Sequence, residues 1–291
     1  MKIRAGFTLA YDCKQPTPML LVLNIHPSRR VDLLTDQVLT FDRAIDAWGY
    51  TDVFGNACTR IVAPAGLTTI STTFDIYDSG QPDIVPQEAF QHPINDLPDE
   101  VLVFLLGSRY CDTDRLADFA WAEFSKVPLG WPKVQAICDF VHNHITFNYQ
   151  NADSLRTAYG GYVDRTGVCR DFAHLAVTLC RCMNIPARYC TGYLGDIGVP
   201  VDVNPMDFSA WFEVYLSGRW HTVDARHNKP RIGRILMATG RDATDVALTT
   251  TFGPSVLSRF EVVTDELPNG GETMATTGGQ DVNGPTAAYV S

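Results

Sequence analysis

Arg165-Thr166-Gly167-Val168-Cys169-Arg170-Asp171-Phe172-Ala173-His174-Leu175 is the stretch from which the rest of this chain is best read. Phe172, Leu175, Ala176, Leu179 and Met183 recur at helical spacing, so an amphipathic helix opens near Cys169 and ends before Pro186. A glycine two residues before a cysteine that opens a helix has a physical use. Backbone N–H groups at a helix start are free to meet a ligand, and the helix dipole favours negative charge there. That placement predicts a stabilised thiolate with a lowered pKa. The same N–H groups can hold the oxyanion formed when the thiolate attacks a carbonyl. A cysteine that merely packs is the commoner alternative at such a position.

Downstream, residues 207–216 and 219–225 alternate about Ser217-Gly218, the pattern of a β-hairpin. A two-residue turn pairs Leu216 with Arg219, which puts Trp211 opposite Asp224 and Ser209 opposite Arg226. Ser209 and Asp224 then become diagonal neighbours on one face, about 7–8 Å apart at the backbone. A base and its orienting carboxylate would sit on that face in a thiol enzyme. Another strand-like run, 187–194, lies between the helix and the hairpin. Upstream, two helical patterns precede the cysteine. One is capped by Asp112 or Thr113 and runs through Leu116, Phe119, Ala120 and Phe124. The other has Pro132 in its first turn, with Val134, Ile137, Cys138, Val141 and Ile145 following at helical spacing.

The N-terminal part changes period. Residues 3–11, 19–25, 38–41, 59–64 and 68–77 are rich in β-branched and aromatic side chains and are separated by proline- and glycine-containing turns. Short strands so spaced predict an antiparallel sandwich or barrel. Residues 80–98, rich in proline and polar residues, are the best linker. The expected division is therefore an N-terminal β-rich domain over 1–98, an α+β core over 99–263 and a flexible acidic tail over 264–291.

Composition narrows the function. The 291 residues are 45% hydrophobic, 11% aromatic and only 19% charged, with a formal net charge of −10 and a mean hydropathy of −0.05. Such a chain can bury a large core, and it has no run of 18 apolar residues, so neither a disordered nor a membrane-spanning protein is expected. An acidic balance disfavours nucleic acid, because there is no cation excess to displace phosphate counterions. The first nine residues alternate like a strand and lack a signal's apolar stretch, which makes the cytoplasm the expected location. The eight cysteines are then expected as thiols. His142-Asn143-His144 spells the letters of a nuclease motif but lies on an amphipathic helix without the required hairpin. Cys180, Cys182, Cys190 and His174 lack metal-ligand spacing, and no glycine-rich phosphate cradle occurs, so neither a metal nor a cofactor is expected.

Taken together, Gly167-Val168-Cys169-Arg170-Asp171-Phe172-Ala173-His174, Ile185-Pro186-Ala187-Arg188-Tyr189, Thr191-Gly192-Tyr193, Ala210-Trp211-Phe212-Glu213-Val214-Tyr215 and Asp224 resemble the bacterial transglutaminase-like, papain-like superfamily. The resemblance covers about residues 110–255, and the β-rich start is similar to the N-terminal region common in these bacterial proteins. It implies a papain-like core, with helices packed on an antiparallel sheet, and a Cys-His-Asp triad. Cys169 is the implied nucleophile and Asp224 the residue that orients the imidazole. The histidine should stand in a His-Ala-Trp motif, but the chain reads Ser209-Ala210-Trp211. Serine cannot accept and return a proton near neutral pH as imidazole does. Three readings stay open. A histidine from elsewhere substitutes, with His227 ahead of His221; or Cys169 attacks an activated substrate unaided; or the domain binds without turnover. The expected function is thiol-dependent acyl transfer on amide bonds of a peptide or protein, through a Cys169 thioester, with Cys169, Asp224 and His227 as site residues. The alternative is a non-catalytic peptide- or protein-binding domain.

Overall fold

A computed structural model describes residues 1–202 and 205–268. The N-terminal strands are β1 (Lys2–Cys13), β2 (Thr17–Leu21), β3 (Thr40–Phe41), β4 (Ala47–Thr51), β5 (Ala57–Ala63) and β6 (Gly66–Tyr77). Alternation along β6 buries Thr68, Ile70, Thr72, Phe74 and Ile76, and β1 adds Ile3, Phe7 and Leu9 to the same core. The elements that follow are α1 (Asp99–Leu102), α2 (Thr113–Phe124), α3 (Trp131–His144), β7 (Thr146–Phe147), α4 (Ala158–Asp164), β8 (Thr166–Gly167) and α5 (Cys169–Cys182). They are followed by β9 (Ala187–Tyr193), β10 (Ser209–Leu216), β11 (Arg219–Val223), β12 (Ile235–Gly240), β13 (Thr249–Thr251) and β14 (Ser255–Leu267).

The architecture is α+β. Two four-stranded antiparallel sheets, ordered β14-β1-β6-β3 and β13-β2-β5-β4, enclose the N-terminal core, and a third, β11-β10-β9-β12, carries the helices. Helix α5 is the axis of that second half, packing on α2, α3 and α4 as well as on β9 and β10. Its polar residues are held rather than exposed. The buried Arg181 guanidinium donates to the carbonyls of Leu106, Ala187 and Arg241. After α5, Asn184 takes a left-handed conformation (φ 60°) and Pro186 prevents continuation. The hairpin has the expected register from Leu216↔Arg219 to Phe212↔Val223 and ends there with β11, short of the expected pairs Trp211–Asp224 and Ser209–Arg226. Its turn uses positive φ at Ser217 (49°) and Gly218 (78°), which matches the right-handed strand twist.

The expected domain boundaries give way at the C-terminal side. Strand β14 pairs along the whole of β1, from Lys2↔Leu267 to Cys13↔Ser255, with a bulge at Ala10/Tyr11. Strand β13 pairs with β2. Residues 249–263, expected in the core, therefore complete the N-terminal sandwich, and 264–267, expected in the tail, are strand. The rest of the expected tail, 269–291, lies outside the described residues. The physical reason is that β1 has two edges to satisfy, and β6 covers only one. Nor is 80–98 a free linker. The Asp83 carboxylate accepts from Arg231 N–H (3.0 Å) and Arg234 Nε (2.8 Å), tying the segment to the core. Among the described residues no helix is long and apolar enough to cross a membrane.

Candidate active site

Cys169 is the first residue of α5, and a local device fixes that start. The Asp171 carboxylate folds back to accept from the Val168 N–H at 2.8 Å, satisfying a donor that the helix leaves open. Gly167 makes room for it, since a Cβ there would lie 2.4 Å from Asp171 Oδ2. The half-buried Cys169 lines a cavity of about 120 Å³ whose walls are mainly apolar, with Val168, Tyr189, Phe208, Val246 and Leu248 among them.

That enclosure overturns the expected lowering of the thiol pKa. Burial pushes Cys169 up to about 11; Arg226 opposes the rise, Asp207 adds to it, and the Ala210 N–H opposes it. A helix start contributes roughly 0.3–1 kcal/mol to a nearby anion at exposed sites. Removing a thiolate from water costs more.

Ser209 opens β10 opposite Gly192. It is buried, and its Oγ has no hydrogen-bond partner among the described residues. With Asp207 it lines the Cys169 cavity and also a neighbouring cavity of about 80 Å³. His227 lines that second cavity together with Tyr149 and Arg226. It does not line the first.

Asp224 and His227 do meet. Strand β11 stops at Val223, and the chain curls into a turn closed by Asn228 N–H donating to Asp224 O at 2.8 Å. His227 returns onto the carboxylate, its backbone N–H 3.0 Å from Oδ1 and its Nδ1 2.8 Å from Oδ2. Arg234 Nη2 donates to the same Oδ2 at 2.7 Å. Burial alone would raise the Asp224 pKa, but Arg234 and His227 outweigh it and hold the group well below the carboxylate range. Burial lowers His227 in turn, against the pull of Asp224. Burial thus favours the neutral imidazole, and the facing carboxylate favours a proton on Nδ1, which leaves a lone pair on Nε2.

Of the three expected site residues, then, Asp224 and His227 are joined, while Cys169 lines a cavity that shares Asp207, Phe208 and Ser209 with the one His227 lines. The other histidines have structural partners. His221 hydrogen-bonds Leu216 O at 3.1 Å. Buried His174 stacks on Tyr110, accepts from Ala243 N–H at 3.1 Å and is pushed down to about 3 by burial. Glu213 pairs with Arg188 at 2.6 Å.

Sequence reading missed Asp207 and Arg226. Burial pushes the Asp207 carboxyl up to about 7, against the Phe208 N–H and Arg226. The Arg226 guanidinium lies 3.8 Å over the Phe147 ring and acts on Cys169, Asp207 and Tyr149 alike. One signal was available: Asp207 precedes Ser209 by two residues, which strand alternation places on the same side.

A helix that opens on a cysteine and packs on an antiparallel sheet, with an aspartate just past the hairpin's second strand, defines a class. The sequence model of the transglutaminase-like superfamily matches residues 119–225. The crystal structure of a candidate cysteine protease from Cytophaga hutchinsonii is 30% identical and superposes with a TM-score of 0.80, over 94% of this chain and 92% of that one. The chain belongs to the transglutaminase-like superfamily. An uncharacterised protein of Mycobacterium leprae (strain TN) is 36% identical over 86 residues, which are 28% of this chain and 30% of that protein's length.

Proposed function

We propose that this protein is a thiol-dependent acyl-transfer enzyme, a cysteine peptidase or amidase that cleaves amide bonds through a Cys169 thioester. The observation that carries the reading is the placing of the Cys169 thiol at a helix start that opens onto a small, largely apolar cavity. The cavity suits a peptide or protein substrate presenting a small apolar side chain on the acyl side of the bond. In this scheme the sulfur attacks the carbonyl carbon, and the N–H groups of the first turn of α5 receive the oxyanion. The amine departs and water releases the acid. Resemblance to the Cytophaga hutchinsonii protein supports hydrolysis over crosslinking.

A second reading has its own support. The raised thiol pKa and the absence of an imidazole from the cavity walls among the described residues favour a peptide-binding domain without turnover. The deciding experiment offers a panel of fluorogenic peptide amides, varied at the acyl side chain, to the wild type and to Cys169→Ala. Turnover of the alanine- and valine-like members by the wild type, and none by the variant, is the expected result. Turnover that survives Cys169→Ala would overturn it, as would binding without cleavage.

A further inference from the structure

Acyl transfer at Cys169 needs a group to take the thiol proton, and among the described residues no imidazole lines its cavity: Ser209 stands in the histidine's place, and His227 lines the neighbouring cavity. We propose that the Asp207 carboxylate takes the proton from Cys169 and later returns it, an inference that rests on the acyl-transfer reading of the same cavity.

Position is the first support. Asp207 and Cys169 line one cavity of roughly 120 Å³, large enough to hold water, and the Asp207 charge acts on the thiol. Surroundings are the second. Asp153 and Arg170 line that cavity with them. On the other side of Asp207, the second cavity carries Tyr149, Arg226 and His227, together with Asp196, Asp202 and Arg231. Arg226 is the cation that acts on both Cys169 and Asp207, so it attracts the negative charge whichever of the two bears it. The third support is acidity. A carboxyl raised to about 7 is poised for general acid–base work near neutral pH, where an ordinary aspartate is too weak a base.

The steps balance. As Sγ bonds the carbonyl carbon, the S–H proton passes to Asp207, directly or through one water, and the carbonyl π pair becomes the oxyanion. When the intermediate collapses, the C–N bond breaks and the carboxyl proton goes to the departing nitrogen. Water then attacks the thioester and gives a proton to Asp207. C–S cleavage returns that proton to the sulfur and frees the acid.

Removing Asp207 has opposite effects under the two accounts. As a mere neighbour its negative charge raises the Cys169 pKa, so Asp207→Asn would make the thiol more reactive. As the proton acceptor its loss makes the thiol less reactive. The measurement is the pH dependence of Cys169 alkylation by iodoacetamide in the full chain, with the site assigned by peptide mapping. The wild-type rate is expected to rise through an inflection near pH 7, well below the thiol's own titration. Asp207→Asn should lose that inflection and react at least ~10-fold more slowly at pH 8, consistent with the worth of a general base. His227→Ala should keep the inflection. An unchanged or faster Asp207→Asn, or loss of the inflection in His227→Ala, overturns the assignment.

If Asp207→Asn does not fold, carbon-13 NMR of the wild-type aspartate carboxyls, assigned with Asp207→Glu, gives the answer. A titration near pH 7 supports the role, and one near 4 ends it. Failure of the two proposals looks different. Peptide amide turnover that survives Cys169→Ala removes the acyl-transfer reading itself. Turnover that depends on Cys169 while Asp207→Asn keeps the wild-type profile removes only Asp207.

Discussion

Ser209 contributes a buried hydroxyl with no hydrogen-bond partner among the described residues, at the wall shared by the cavity of the thiol and the one that His227 lines. An unpartnered buried hydroxyl costs free energy without packing as well as an apolar group of its size would. Ser209→His would fill the position with an imidazole able to take the Cys169 proton. It is expected to raise kcat/KM on peptide amides by ~10²-fold or more, the usual worth of general acid–base help, and to speed alkylation at pH 6–7. No gain in either measurement would mean that the cavity has diverged beyond the exchange of histidine for serine at this position. The residues themselves were unevenly legible. Cys169 announced itself through Gly167 and the helical period that follows, and Asp224 through the hairpin register. His227 was reachable because it falls past the strand end, where a turn can bring it back. Asp207 was not found, because one acidic residue before a strand is ordinary until burial changes its acidity, and burial is a property of the folded chain.

At the scale of one element, the start of α5 balances two demands. The Asp171 carboxylate satisfies the Val168 N–H but brings negative charge near the Cys169 thiol and adds to the rise in its pKa. Asp171→Ala should therefore lower the stability of the protein by about 1–2 kcal/mol, the usual worth of a cap, read from chemical denaturation midpoints. The same variant should alkylate faster at Cys169 at pH 8. Slower alkylation in a folded variant would show that the helix start, rather than its charge, governs the thiol. Helices were the most legible elements, because their apolar spacing is local: α3 begins at Trp131 with Pro132 in its first turn. Strand β4 was missed because all five of its residues are exposed, so alternation leaves no trace in the sequence.

Across the whole molecule, the connection that was least legible is also the longest. Strand β14 meets β1 from the far end of the described chain. Its residues 255–267 bury only Val262 and Thr264, a pattern that reads as a polar segment rather than a strand. Pairing at such separation is set by the partner's open edge and not by local preference. A chain ending at residue 248 should therefore lose cooperative unfolding, since β1 would expose a free edge over its whole length and Val262 would leave the core. Calorimetry on that fragment beside the full chain checks this; a sharp transition at an unchanged temperature would contradict it. The same return has a further consequence. Leu248, Thr249 and Phe260 are part of the enclosure around the Cys169 sulfur, although they are synthesised long after it. A ribosome must translate past position 260 before the Cys169 sulfur has a finished chamber, so a nascent or clipped chain that stops short of that point carries its sulfur in an unroofed hollow.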